Sequence, residues 1–205
     1  MYQTHILKNG LKVIHQQVDG KAAWCGLIIG VGSRDERPEE EGIAHFIEHV
    51  IFKGTEKRKA FHILSRIEDV GGELNAYTTK EDTCIYASFL ARDYERALEL
   101  FADIVFHSVF PEKEIEKEKE VVIDEINSYK DSPGELIFDD FENLIFCGHP
   151  LGRNILGEAG RLRGFRSEDI QRFARRLYRP DRMGFFVYGR IEPTHPCREI
   201  TQALK

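Results

Sequence analysis

Three side chains in the stretch His45-Phe46-Ile47-Glu48-His49 carry the clearest chemical potential in this chain. On a helix, at about 100° per residue and with His45 at zero, His49 falls at about 40° and Glu48 at about −60°. Two imidazoles and a carboxylate then share one face. Imidazole nitrogen is a common zinc ligand, and a zinc ion of the catalytic kind takes three N or O ligands and leaves a fourth position for water. The spacing supplies two of those three. Alone it does not separate a metal site from two histidines on an ordinary helix, so a third ligand must decide.

Candidate carboxylates lie on a second predicted helix, running from Pro111 to about Tyr129, which carries Glu112, Glu114, Glu116, Glu118, Glu120, Asp124 and Glu125. With Glu125 at zero, Glu118 lies at about 20° and Glu114 at about −20°, while Val122, Ile115 and Ile126 lie at about 60° to 100°. Glu118 and Glu125 therefore border the face that must be buried. Glu112, Glu116 and Glu120 read as an ordinary solvated face. Like charges four residues apart cost a few tenths of a kcal/mol in an exposed helix, and a cation opposite that edge would reverse the sign.

The elements that must position these groups are legible from period and punctuation. Residues 41–52 form the histidine helix, whose other face, Ile43, Phe46, Ile47 and Val50, is apolar and needs a core. Before it, Tyr2–Leu7 and Leu11–Gln17 flank Asn9-Gly10 and predict an opening β-hairpin, and the apolar run Ala22–Val31 predicts a central strand. After it come a helix over Ala60–Val70 stopped by Gly71-Gly72, a strand pair Glu73–Thr79 and Thr83–Leu90, and a periodic helix Tyr94–Phe106. Beyond the acidic helix, Gly134–Phe146 is predicted helical, Ser167 is a candidate N-cap for a helix ending near Leu177, and Met183–Tyr188 is a last strand. This order is not a repeating βαβ pattern. It predicts an α+β, two-layer sandwich: a mostly antiparallel mixed sheet with helices packed on one face. Residues 1–190 form one domain, and 191–205 a tail or the start of a linker.

Composition narrows the classes. With 205 residues, 41% hydrophobic and 31% charged, the chain can bury a core and lies outside the disordered and membrane classes. A formal charge of −6 argues against a nucleic-acid partner, and the arginine-rich run 161–176 reads as solvated surface. Cys25, Cys84, Cys147 and Cys197 are scattered without a CxxC pair, so reduced single thiols are expected, with neither a disulfide framework nor a thiolate zinc site. No apolar run is long enough to span a membrane and the N-terminus lacks the apolar core of a secretory signal, from which a cytoplasmic location is expected.

Taken as a composite, the chain resembles the inverted zinc peptidases of the insulinase/pitrilysin family, which includes mitochondrial processing peptidases and bacterial relatives. The resemblance rests on His45-Phe46-Ile47-Glu48-His49 followed much later by Glu125, on Gly30-Val31-Gly32-Ser33-Arg34-Asp35-Glu36, on Leu74-Asn75-Ala76-Tyr77-Thr78, and on His149-Pro150-Leu151-Gly152. It implies that His45, His49 and Glu125 hold one Zn2+ per chain and that Glu48 is the general base. It further implies that Glu118 is a second acidic position supporting the ligands, and that Asn75 and Ala76 lie on a strand beside which a peptide substrate adds. The activity implied is that of a zinc-dependent metalloendopeptidase acting on extended peptides. Family members that cleave peptides generally use two homologous halves or subunits, the second supplying an Arg and a Tyr, and no match to that second-half pattern is found here. The chain thus resembles an N-terminal catalytic half, expected to need a second half or partner subunit, or a second copy of itself, for full activity. The alternative is a non-catalytic partner or scaffold subunit of a two-subunit complex.

Overall fold

Period-two alternation explains how the first strands sit. The computed structural model describes residues 1–191, and in it strand β2 (Lys12–Gln17) buries Val13 and His15 while Lys12 and Ile14 face outward. It pairs antiparallel with β1 (Gln3–Ile6) across the Asn9-Gly10 turn, where Gly10 adopts a φ of 90° and the Asn9 side chain accepts from the Leu11 amide. β3 (Ala22–Ile29) is central, as its apolar run predicts, with neighbours on both sides. The predicted strand pair forms β4 (Glu73–Thr78) and β5 (Thr83–Leu90).

The six strands are ordered β1-β2-β6-β3-β5-β4, where β6 is Met183–Gly189. β6 inserts mid-sheet, parallel to β2 and antiparallel to β3. One parallel pairing among otherwise antiparallel ones makes the sheet mixed. It also means that the domain closes only when the last strand has been made, a long-range step.

Seven helices are present among the described residues: α1 (Ile43–Val50), α2 (Ala60–Glu68), α3 (Tyr94–Phe106), α4 (Glu112–Lys130), α5 (Pro133–Ile145), α6 (Ala159–Leu162) and α7 (Ser167–Leu177). The core lies between one sheet face and the helices, for example where Phe101 of α3 meets Phe185 of β6 with ring centroids 6.2 Å apart. The opposite face is open and partly apolar, with Ile14, Trp24, Ile28 and Tyr188 all exposed. The architecture is the expected α+β two-layer sandwich.

Two local expectations need correction. Ser167 is the first helical residue of α7 and not its N-cap; Arg166 takes that position, its amide donates to Asp169 Oδ2 at 3.0 Å, and the Ser167 hydroxyl bonds to the Val109 carbonyl. The one-turn helix α6 was not predicted, four residues being too few for a periodic signal. Half of the six arginines in the run 161–176 are ion-paired: Arg161 with Glu41, Arg172 with Asp169 and Arg176 with Glu40. No helix among the described residues is long and apolar enough to cross a membrane. Apart from Ile191, the expected tail and its Cys197 lie outside the described residues.

Helix α5 is inverted relative to an ordinary surface helix. Its polar side faces the domain: Asp139 accepts from Tyr129 and Asn154, Lys80 pairs with Asp139 and Glu142, and Asn143 donates to the Gly152 carbonyl. Its apolar side, Ile137, Phe138, Phe141, Leu144 and Ile145, faces outward, with Phe138 71% and Leu144 76% exposed. None of its residues is buried.

Candidate metal centre

Helix α1 is fixed from both ends of its cross-section. Ile43, Phe46, Ile47 and Val50 are fully buried, with Phe46 packed near Phe165 at 6.1 Å between centroids. At its N-terminus Gly42 takes a φ of 91°, and a Cβ there would stand 2.8 Å from the Leu156 carbonyl oxygen. The first-turn amides of a helix lack intrahelical partners. Here the buried Glu36 carboxyl supplies them, accepting from Gly42 at 3.0 Å and Ala44 at 2.9 Å through separate oxygens. Arg153 donates to the Glu36 carbonyl at 2.9 Å and pairs with Glu41, so the loop carrying His149–Gly152 braces the approach to α1.

This framework leaves His45 and His49 facing α4. His45 Nε2 lies 3.7 Å from Glu125 Oε1, and His49 Nε2 lies 3.3 Å from Glu125 Oε2. One donor atom from each of the three residues can be chosen so that all lie within 4.8 Å of one another. A tetrahedral zinc with bonds of about 2.0–2.1 Å needs ligand atoms roughly 3.4 Å apart; the separations of 3.7 and 3.3 Å to Glu125 are already near that, and the full set, within 4.8 Å, would draw inward around an ion. Burial, with the neighbouring His49 adding to it, lowers the His45 pKa to about 4, which keeps the imidazole neutral and its lone pair available.

Glu118, two helical turns before Glu125 on α4, places Oε2 3.5 Å from His49 Nδ1. Its other oxygen is 2.6 Å from Lys53 Nζ, in the turn leaving α1. Glu48 is outside the three-residue cluster. It is half-buried, and burial raises its carboxyl above the usual range, while Thr78 at the end of β4 and the nearby His49 oppose the shift. The raised carboxyl thus stands next to the metal-binding face without belonging to it. Asn75 and Ala76 lie on β4, the edge strand of the sheet, and the Asn75 carboxamide oxygen accepts from the Ala76 amide at 2.8 Å. With Glu48, His49, Phe52 and Leu64 they line a shallow cavity beside the metal-binding face.

The residues singled out by sequence are thus brought to one place: His45, His49, Glu118 and Glu125 converge, Glu48 borders them, and Asn75 and Ala76 form the adjoining edge. Sequence reasoning missed Glu36 and Lys53. Glu36 stands too far ahead of α1 to match a local capping pattern. Lys53 follows His49 by four residues, a spacing that could have marked it as a neighbour of the same face.

The family model for insulinase, peptidase family M16, matches residues 12–159. An uncharacterised zinc protease of Bacillus subtilis, YmxG, is 38% identical over 93% of this chain and 47% of its own length. A probable mitochondrial-processing peptidase subunit beta of Arabidopsis thaliana is 38% identical over 95% of this chain and 37% of its own. The crystal structure of a protease from Helicobacter pylori superposes with a TM-score of 0.90 at 27% identity, covering 100% of this chain and 49% of the other. The chain spans about half the length, or less, of these relatives. It belongs to the insulinase family of peptidases, family M16.

Proposed function

We propose that this chain is the zinc-binding catalytic half of a metalloendopeptidase that hydrolyses extended peptides. The observation that carries the reading is the convergence of His45, His49 and Glu125 with Glu48 beside them and off the cluster. His45, His49 and Glu125 would hold zinc, which when bound acidifies its water and polarises the scissile carbonyl. The residues of the chain do the rest. Glu48 takes a proton from the attacking water at a carboxylate oxygen and delivers it to the leaving amine. Burial on the α1 side excludes bulk water and leaves the β4 side open. Glu118 Oε2, 3.5 Å from His49 Nδ1, would accept its N–H on a small approach and so direct Nε2 to the metal. The edge of β4 at Asn75 and Ala76 would offer main-chain pairing to an added peptide strand, the peptide taking the place of the Asn75 carboxamide at the Ala76 amide, which gives affinity with little demand on sequence.

The substrate would be enclosed with a second homologous half, either a further domain, a partner subunit or another copy. Two observations support this: the relatives are about twice as long, and α5 turns its apolar side outward. The isolated chain would then bind zinc and cleave peptides poorly. The test is metal analysis with Glu48→Gln and His45→Ala, with peptide cleavage assayed in the presence of the complementary half. Glu48→Gln keeping zinc but losing cleavage supports the enzyme; unchanged cleavage would favour the non-catalytic subunit as this chain's role. Absence of zinc from the wild type, or unaltered zinc binding in His45→Ala, overturns the metal site. Robust cleavage by the isolated chain overturns the half-enzyme reading.

A further inference from the structure

His49 has two carboxylates against it, Glu125 beside Nε2 at 3.3 Å and Glu118 beside Nδ1 at 3.5 Å. A ring between two acceptors has no intrinsic reason to present Nε2 rather than Nδ1 to a metal. What distinguishes the two sides is Lys53. Its ammonium lies 2.6 Å from Glu118 Oε1, and among the described residues it is the one lysine or arginine paired with that carboxylate. Glu125 has no such partner there and is 44% exposed, against 13% for Glu118.

The setting makes that pairing more than a surface contact. Glu114 and Glu118 stand four residues apart on one edge of α4, with Glu125 further along it and Glu48 opposite, so the rim is densely acidic. Lys53 lies within electrostatic reach of Glu114 as well as in contact with Glu118. It reaches this place because the Lys53 amide closes a turn onto the Val50 carbonyl at 3.1 Å, so the residue is anchored to the same helix that carries both histidines. An ion pair from the histidine helix to the acidic helix therefore fixes where the second oxygen of Glu118 can be.

Resting on the metal site proposed above, we propose that Lys53 is a positioning residue for it. By holding Oε1 of Glu118, it keeps Oε2 against His49 Nδ1–H and so sets the tautomer that turns Nε2 toward the metal. Lys53 also lines the cavity beside Asn75 and Ala76, but the role proposed for it runs through Glu118 and is read without substrate present.

The test is zinc affinity, measured by titration against a competing chelator, for wild type, Lys53→Met, Lys53→Arg, Glu118→Gln and the double variant Lys53→Met/Glu118→Gln, with thermal unfolding of each metal-free protein as the control for folding. Lys53→Met is expected to weaken zinc binding about tenfold, in the range of outer-shell substitutions. Lys53→Arg should restore most of the loss. The double variant should bind zinc no more weakly than Glu118→Gln alone, because the carboxamide already lacks the charge that holds the lysine and the second carboxylate oxygen that His49 needs. Wild-type affinity in Lys53→Met, or losses that multiply in the double variant, would overturn the role of Lys53 while leaving the metal site standing. A wild-type protein that binds no zinc would instead overturn the site itself, and this role with it.

Discussion

Replacing Glu36 probes how the metal-bearing helix is held. Its carboxyl accepts from two buried amides at the start of α1, those of the N-cap Gly42 and of Ala44, and a Gln in its place keeps one acceptor oxygen and sets an NH2 group against the second amide. Leaving one buried donor unpaired costs about 1–3 kcal/mol, and Glu36→Ala, which leaves both, costs roughly 2–6 kcal/mol. For a chain of this size each kcal/mol lowers Tm by about 2–4 °C, so Glu36→Gln should melt roughly 2–12 °C lower, with Ala lower still. An opposing effect must be weighed. Burial pushes the Glu36 carboxyl from 4.5 up to about 8, against the Ala44 and Gly42 amides and Arg153, so desolvation of the charged form is large. The folded chain then keeps a proton that the unfolded chain has released, and stability falls as pH rises from about 4.5 to about 8. Glu36→Gln should lack that slope. Circular dichroism melts across this pH range read both effects. A Gln variant more stable than wild type throughout would mean that carboxyl burial outweighs the two amide bonds, and that the capping argument is wrong.

Other outcomes follow from packing and pairing. Phe46→Ala, which empties a fully buried site on the core side of α1, should cost about 3–5 kcal/mol by urea unfolding. Asp103, buried on α3, accepts from Thr55 at 2.8 Å and pairs with Arg58 at 2.5 Å; Asp103→Ala leaves Arg58 its second partner, Glu99, but strands the Thr55 hydroxyl, and should lower stability by about 1–3 kcal/mol, as denaturant midpoints would register. Gly26→Ala would place a Cβ 2.6 Å from the Ile85 carbonyl oxygen and 2.5 Å from the Phe186 ring, and the backbone at the sheet centre cannot yield easily. A loss of about 1–3 kcal/mol is expected, seen as a lower Tm.

Most elements could be read from the chain because their signals are local. The alternation in Leu74, Ala76 and Thr78, the Asn9-Gly10 turn and the apolar face of residues 43–50 each specify an element within a few residues. What could not be read is what those elements meet. Met183–Tyr188 is plainly a strand, yet nothing near it says that it enters between β2 and β3 and runs parallel to the former. The site divides in the same way. His45 and His49 share a face by helical spacing alone, whereas bringing Glu125 opposite them depends on how α4 crosses α1, and only the family resemblance supplied that pairing in advance. Lys53 acts through Glu118, far along the chain, so no short window contains both; Glu36 lies only six and eight residues before the amides it bonds, yet in a loop with no periodic pattern to mark it as a cap.

The inverted helix α5 bears on how this domain unfolds. Burying a large apolar side chain is worth about 1.5–3 kcal/mol, so covering Ile137, Phe138, Phe141, Leu144 and Ile145 would contribute on the order of 5–15 kcal/mol before the cost of association. That is comparable to the whole stability of a typical domain, about 5–15 kcal/mol. Were the second half proposed above to cover this helix, the domain would share a melting transition with it. The two would unfold as one cooperative unit, and a destabilising substitution in either would be felt at the histidines of this one.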